Sequence, residues 1–494
     1  MSEVHVEIDK LDSSRKDSTS PHAEVQVLDR PTGWRRYYYH PVTQVSMLGL
    51  VCFMGPGIFV ALTGLGGGGQ VNSTVQANAS AILYATFAFF GLISGSINNV
   101  LGPRRTLTLG TLGYSLYIAS FLVINIHPDA SAFVVAAGAI LGVCAALLWT
   151  AQGSLMMAYP TEAQKGMFIS IFWAIFNLGG VLGSAVAFGT NFKSTANSIG
   201  NGTYVGFLIL TLIGVFLPLL MVNPDKVIRT DGTRVTEVRH PSWKTELFRL
   251  YVALKTDPWI ILLFPMFFAS NYCYTWEYNG YNGAIFTIRA RGLNSLMTYT
   301  AQILGSVFLG YFILDQKMVS RRVRAFYGWI LVFLVAFAAH VWAYFYQKTY
   351  TRADTYKIDI TDETYAAHVW VMMVHGFLDS MWQTYAYWLM GAMSNDPAKL
   401  AVFTGFYKSL QSAGAASAWS TDAARIPYMN IFLSTWCLMV ASMIFAAPMV
   451  YLRVTDHTYV EDETIVRVAD VEKTEPPATG RRKNKQTDVS LEVR

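Results

Sequence analysis

The sequence predicts an all-α polytopic membrane protein, with about twelve transmembrane helices in two six-helix bundles. Three observations carry this. Apolar runs of about twenty residues, long enough to cross a bilayer as helices, recur along the chain. Only 14% of the 494 residues are charged, against about 25% in soluble domains, while 53% are hydrophobic and the mean hydropathy is +0.33. The runs also fall into two groups of six around one charged stretch. So little charge cannot coat a soluble surface, which excludes a disordered scaffold, a nucleic-acid binder and a secreted disulfide module. The net charge of +5 does not suggest nucleic acid either, because the basic residues lie mainly in loops and tails.

In lipid every backbone amide must be satisfied internally, so each long apolar run is expected to be a helix. The first set lies near 41–64, 76–99, 106–126, 131–152, 166–188 and 203–222. The second lies near 257–277, 293–315, 325–346, 367–392, 398–420 and 429–452. The domains follow: a tail at 1–33, a bundle at 34–222, a linker at 223–256, a bundle at 257–453 and a tail at 454–494. Mixed charge and few large apolar residues make both tails expected disorder. Residues 1–33 contain no apolar core followed by a small-residue cleavage site, so the first span is expected to act as the targeting signal.

An even number of spans puts both tails on one side. With the tails cytoplasmic, the inside loops and flanks hold roughly 18 Lys and Arg and the outside loops roughly 7, the bias expected of that orientation. The sequons at Asn72, Asn78 and Asn201 then fall on outside loops and are glycosylation candidates. Cys52, Cys144, Cys273 and Cys437 are scattered in apolar runs and read as small hydrophobes. No Cys/His spacing or nucleotide motif implies a metal or cofactor, and no catalytic constellation implies an enzyme. The Gly64–Gly69 run lacks the Lys-Ser/Thr of a phosphate loop and reads as a turn between the first two helices.

After the second span stands Gly95-Ser-Ile-Asn-Asn99-Val-Leu-Gly102-Pro-Arg104-Arg105. It resembles the signature loop of the major facilitator superfamily, with Asn99 where an acid is usual. The glycines would let helices approach and turn, and the arginines would stay in headgroup water or cap a neighbouring helix. Asp315 and Ser320–Arg324 are a loose echo in the second half. Three further stretches are similar to the fungal Unc-ninety-three-like branch of that superfamily: Leu62–Gln70, Ile285–Asn294, and Tyr387–Asp396 followed by Gly405–Ala416. The likeness covers roughly residues 36–452. It implies a major facilitator fold and a fungal cell-surface or vacuolar membrane. It also implies either transport or, as for some animal members, service to a channel or receptor.

Ionisable residues inside a membrane are costly and mark function by default. The first six spans hold none between their ends, whereas the second half has His340, His375, Asp379 and Lys408. At 1.5 Å per residue, Asp379 and Lys408 lie near the bilayer centre on antiparallel neighbours. His375 is one helical turn from Asp379. Asp379 is thus the candidate proton-coupling site, poised by Lys408 and His375. The competing reading is a permanent Asp379–Lys408 pair that only orients two helices. By the superfamily resemblance the first, fourth, seventh and tenth helices line a cavity. The candidates there are Asn271 and Tyr274 on the seventh, Trp149 and Gln152 on the fourth, and Trp382 and Gln383 on the tenth. Tyr278 and Tyr281 are expected in an interfacial aromatic belt. Glu277 reads either as part of the cluster at the cavity end of the seventh helix or equally as a mouth charge paired with Arg289 or Arg291. The small pairs Gly91/Gly95 and Gly179/Gly183 and the run Ser412–Ala418 let helices pack closely. The superfamily resemblance implies that they lie where second meets eleventh and fifth meets eighth, and plain packing explains them equally.

The function these features favour is secondary active transport of an unidentified small solute by alternating access, with protons as the candidate coupling ion. The alternative is a non-transporting membrane partner that regulates or escorts another membrane protein. The Asn99 substitution and the charge-free first half favour the alternative; the central ionisable cluster favours transport.

Overall fold

A computed structural model describes residues 32–456, except 71, 161–164, 195–197, 231, 233–234, 236–243, 246–247, 249–250, 252–253, 256–257, 315, 317 and 394–396. The side chains of 157, 165–166 and 397–402 are also not described. The expected tails lie almost entirely outside these residues, as do much of the linker, Asp315 and Asp396.

Helix dominates, and among the described residues β structure is confined to isolated bridge residues, such as Phe286 with Ile358. The first bundle comprises α1 (Pro41–Gly64), α2 (Thr74–Gly91 continued by Ser94–Leu101), α3 (Pro103–Ile126), α4 (Ser131–Ala158), α5 (Lys165–Asn191) and α6 (Asn201–Leu220). The second comprises α7 (Pro258–Leu263, Phe264–Ala269 and Thr275–Gly283), α8 (Ile288–Leu314), α9 (Arg321–Gln347), α10 (Tyr365–Met393), α11 (Pro397–Ala423) and α12 (Tyr428–Arg453).

Eight of these are single helices apolar enough to span a bilayer, and α2 is a ninth span bent by 68°. Three fall short for a physical reason. The α7 segment is irregular, and α10 and α11 spend hydropathy on Asp379, Gln383, Lys408 and Gln411. Those four polar groups face the central cavity described below.

Local sequence sets the starts and bends. Pro41 begins α1, and His40 caps it by accepting the Val42 amide at 3.3 Å. Pro56 has no N–H to give the turn behind it, and α1 widens there into a π-helical turn over Phe53–Gly57.

At the end of the molecule where the α2–α3 loop lies, Arg104 grips the last turn of α6. Its guanidinium donates to the carbonyls of Pro218 and Leu219 and to Asn223 Oδ1. Positive charge at a helix C-terminus satisfies orphan carbonyls and complements the dipole. Truncation by Arg104→Ala is expected to destabilise the protein by about 1–3 kcal/mol. The check is the melting temperature of the purified variant, which should fall, with partial recovery in Arg104→Lys. Arg105 is exposed beside it.

At the opposite end, the loop after α9 folds back onto the α7–α8 junction. The Ile358 amide donates to the Ile285 carbonyl at 2.7 Å and the Thr287 amide to the Ile358 carbonyl at 3.0 Å. Arg289 seals this join with a fork onto both Asp359 oxygens, its Nε at 2.7 and 2.9 Å. The Arg289 hydrogen bonds, aided by Thr287, hold the Asp359 carboxyl down at about 2, against 3.8 for an ordinary Asp. A depressed carboxyl stabilises above its unfolded value and is lost as pH falls through the folded one. The join is therefore expected to survive acidification to pH 4 and to fail between 3.8 and 2. Amide exchange at Ile358 across that range checks it.

The bundles meet along α2 against α11 and α5 against α8. Gly91 does face α11, where a Cβ would come within 2.7 Å of Ser409 Oγ. The expected Gly179/Gly183 pair turns the other way. Gly179 meets Phe53 and Gly57, and Gly183 meets Ala61, all on α1. Gly180 provides the α8 contact, 2.8 Å from the Tyr299 ring by the same measure. One residue's rotation on a helix moves a side chain by about 100°, enough to change the partner helix.

The sequon residues are placed differently from one another. Asn72 is exposed in a loop, where its Oδ1 accepts the Thr74 amide at 2.9 Å. Asn201 opens α6 and accepts from Asn125 at 2.6 Å. Asn78 departs from the loop expected for it: it lies inside the first turns of α2, because helix begins at Thr74.

Candidate functional site

Between the bundles lies a central cavity lined from both sides. On α7, the stretch Thr275–Gly283 is π-helical, a wider winding that recurs at functional sites. Tyr274 and Tyr278 stack there at 5.1 Å and both face the cavity.

Asp379, on α10 and only 4% exposed, is held by neutral donors. Its Oδ2 accepts from Tyr274 Oη at 2.9 Å and Gln302 Nε2 at 3.0 Å, and its Oδ1 accepts from Gln383 Nε2 at 3.2 Å. Gln383 sits one turn further along α10 and also donates to Tyr274 Oη at 3.0 Å.

Lys408 enters from α11. Its ammonium donates to Gln411 Oε1 at 2.8 Å and lies over the rings of Trp149, Tyr407 and Tyr387 at 4.8, 5.3 and 5.5 Å. A desolvated cation over aromatic faces gains from their quadrupoles, so the cage replaces part of its lost hydration. Gln411 Nε2 donates in turn to Asn271 Oδ1 at 2.8 Å, Ser270 Oγ at 2.9 Å and Gln383 Oε1 at 3.5 Å. No direct ion pair joins Asp379 to Lys408. Two amides, Gln383 and Gln411, stand between them. The permanent pair expected as the structural alternative is not formed.

The cavity is shut at the glycine-loop end, Leu65–Gln70, by hydrogen bonds that cross between bundles. Asn279 Oδ1 accepts the Gly67 amide at 2.8 Å, and Asn282 Nδ2 donates to the Gly64 carbonyl at 2.8 Å. Arg291 gives Nε to the Leu65 carbonyl and Nη2 to the Gly66 carbonyl, each at 2.5 Å. Tyr299 Oη donates to the Val60 carbonyl at 2.5 Å. Towards the other end the bundles touch through the Trp173 and Tyr387 rings, 6.1 Å apart.

Comparison with known proteins now decides the family. A family model described as "Ion channel regulatory protein UNC-93" matches residues 68–450. The chain belongs to the UNC-93 family. An UNC93-like protein of Schizosaccharomyces pombe is 44% identical over 432 residues, covering 86% of this chain and 85% of the relative. UNC93-like protein 1 of Arabidopsis thaliana is 39% identical over 429 residues, covering 85% and 92%. The fold is similar to that of the E. coli xylose transporter XylE, whose structure was solved in a partially occluded inward-open conformation. The TM-score is 0.58 at 13% identity, over 86% of this chain and all of that one (100%). This UNC-93 protein is thus an integral multi-pass membrane protein of major facilitator fold.

Of the residues singled out from the sequence, the UNC-93 cavity gathers Asp379, Lys408, Asn271, Tyr274, Trp149 and Gln383. Three others are placed elsewhere. His375 is one turn nearer the glycine loop, where Trp276 fills the space. Its ring packs on Trp276 at 5.3 Å and His340 at 5.2 Å, and its Nδ1 contacts the Val371 carbonyl at 2.9 Å. Gln152 turns along its own helix to Met156 Sδ at 3.2 Å. Trp382 faces α7 and donates to the Met266 carbonyl at 3.2 Å.

The aromatic-belt expectation is also overturned. Tyr278 lines the cavity, and Tyr281 is buried against Trp276 and Phe286. Glu277 pairs with neither arginine, since Arg289 holds Asp359 and Arg291 holds the glycine-loop carbonyls. It is buried beside Cys273 instead.

Sequence reasoning missed Gln302, Asn177, Tyr84 and Tyr299, all of which line the site. Two carried a signal. Gln302 and Asn177 are amides within apolar spans, the same cost that singled out Asp379. Tyr84 and Tyr299 carried none, since a tyrosine in a span is as often packing as lining.

Proposed function

We propose that this protein is a secondary active transporter that moves a small solute by alternating access, coupled to protons at Asp379. The observation carrying this reading is a carboxylate in a cavity between two bundles, held by Tyr274, Gln302 and Gln383 rather than by a cation. A carboxylate locked to Lys408 would be permanently neutralised. One held by neutral donors can take a proton when the cavity is wetted from one side and release it to the other. In outline, proton and solute enter together, the bundles rock about the α2–α11 and α5–α8 contacts, and both leave on the opposite face. Tyr274, Tyr278 and Trp149 offer flat apolar faces, while Lys408, Asn271 and Gln302 offer polar handles. That combination suits a small ring-bearing or amphipathic solute.

The basic-loop bias supports an orientation with the Arg104 end cytoplasmic, in the cell-surface or vacuolar membrane. The test is a solute screen in proteoliposomes under an imposed pH gradient. Solute-dependent proton flux supports the reading.

A second reading has its own observation. The matching family model is described as an ion channel regulatory protein, and Asn99 replaces the usual acid of the signature loop. On that reading the fold serves a membrane-protein partner. Stable co-purification with a channel or receptor, with no flux for any solute, would favour it.

A further inference from the structure

Above the seal described for the glycine-loop end lies a second, strongly polar cleft of about 280 Å³, built from both bundles. Four cations line it: Arg291, Arg352, Lys357 and Arg425. The carboxylates facing it are fewer. Asp354 is turned to Thr351, whose amide and hydroxyl it accepts at 2.6 and 2.9 Å. Asp422 is shared between Arg352 Nη2 at 2.5 Å and Asn279 Nδ2 at 2.8 Å.

Two of the other cations are held by backbone carbonyls. Lys357 Nζ donates to the Gly283 and Ala284 carbonyls, and Arg291 to those of Leu65 and Gly66. Arg425, held at φ 57, directs no side-chain hydrogen bond to any described residue. The first turn of α2, at Thr74, adds the positive end of an 18-residue helix dipole.

We propose that this cleft binds a small soluble oxyanion, of the sulfate or phosphate type, that bridges the two bundles and holds the glycine-loop end shut. Gly66, Gly67 and Ser73 come from one bundle and Lys357, Arg352 and Arg425 from the other, so opening that end would pull the site apart. An anion bound only to the closed arrangement shifts the equilibrium towards it by its differential affinity. Burial and the nearby Arg291 lower Lys357 to about 8, the behaviour of a cation lacking a counter-ion. The cleft sits over the junction of the bundles, not on their lipid-facing sides, which favours a soluble ion over a lipid headgroup. The inference is independent of transport and stands or falls by binding alone.

Titration calorimetry of the full-length chain in detergent tests it, with sodium sulfate replacing sodium chloride at constant ionic strength. Sulfate keeps its charge between pH 6 and 9, so any pH effect belongs to the protein. The expected result is one sulfate per chain, with affinity at least tenfold weaker in Lys357→Gln and in Arg425→Gln. Affinity should also fall several-fold from pH 7 to 9 as Lys357 loses its proton. The Arg425 variant, at an exposed side chain, guards against a folding defect in the Lys357 variant. No heat with sulfate, unchanged affinity in both variants, or a response equal to that of chloride would overturn the proposal. Binding seen only with phosphatidic acid in nanodiscs would assign the site to lipid and overturn it equally.

Discussion

Asp379→Asn is expected to reduce pH-driven uptake to the level of empty vesicles while leaving the protein folded in the membrane. The amide keeps an oxygen for Tyr274 and Gln302, so the hydrogen-bonded frame survives, at a stability cost of about 1–2 kcal/mol. What is lost is the group that can carry a proton. Proteoliposome uptake with and without a pH gradient, beside a melting curve, separates the two effects. Counterflow exchange without a gradient should persist in the variant, because it needs solute binding and rocking but no proton. Wild-type uptake by Asp379→Asn would end the coupling assignment. Loss of both uptake and folding would instead mark Asp379 as structural.

Gly66→Ala is expected to have the second largest effect, for a steric reason. Gly66 has φ 72, a conformation costing other residues about 1–2 kcal/mol. A Cβ there would also run into the Tyr278 carbonyl and come within 2.7 Å of Gly283 Cα, both on the opposite bundle. Neither backbone atom can swing aside as a side-chain tip would. The variant should therefore hold the glycine-loop end ajar and reduce transport more than tenfold. Single-cysteine labelling near residue 70 should rise in the variant and stay low in the wild type. Equal labelling would show that the end closes without this contact.

Much of the architecture was legible because the bilayer imposes it. Expected and observed bounds for the first span coincide at 41–64, and most others agree within a few residues, because a run too apolar for water has only the helix open to it. Asp379 and Lys408 were legible for the converse reason: a charge in an apolar run stands out as a cost. Arg104 was legible too, since a basic residue after a glycine turn has helix carbonyls within reach.

Direction was not legible. Whether His375, Gln152 or Trp382 faces the cavity depends on rotation about the helix axis, where residues one apart differ by about 100° and residues four apart by about 40°. In α7 the outer-end position suggested the membrane interface for Tyr278, but the π-helical stretch Thr275–Gly283 lies between the bundles, and Tyr278 lines the cavity.

By itself, then, the sequence determined the number, length and order of the helices, the two-bundle layout and the positions where charge enters the membrane, because hydration cost acts on each residue wherever its neighbours are. Only the tertiary structure decided that Gln383 and Gln411 keep Asp379 and Lys408 apart. It likewise decided that Arg291 crosses to the glycine loop and leaves Glu277 alone, and that four cations share one cleft. Those outcomes depend on which faces of separate helices meet, and hydrogen bonds and ion pairs are fixed by distances of tenths of an ångström that no single segment sets alone.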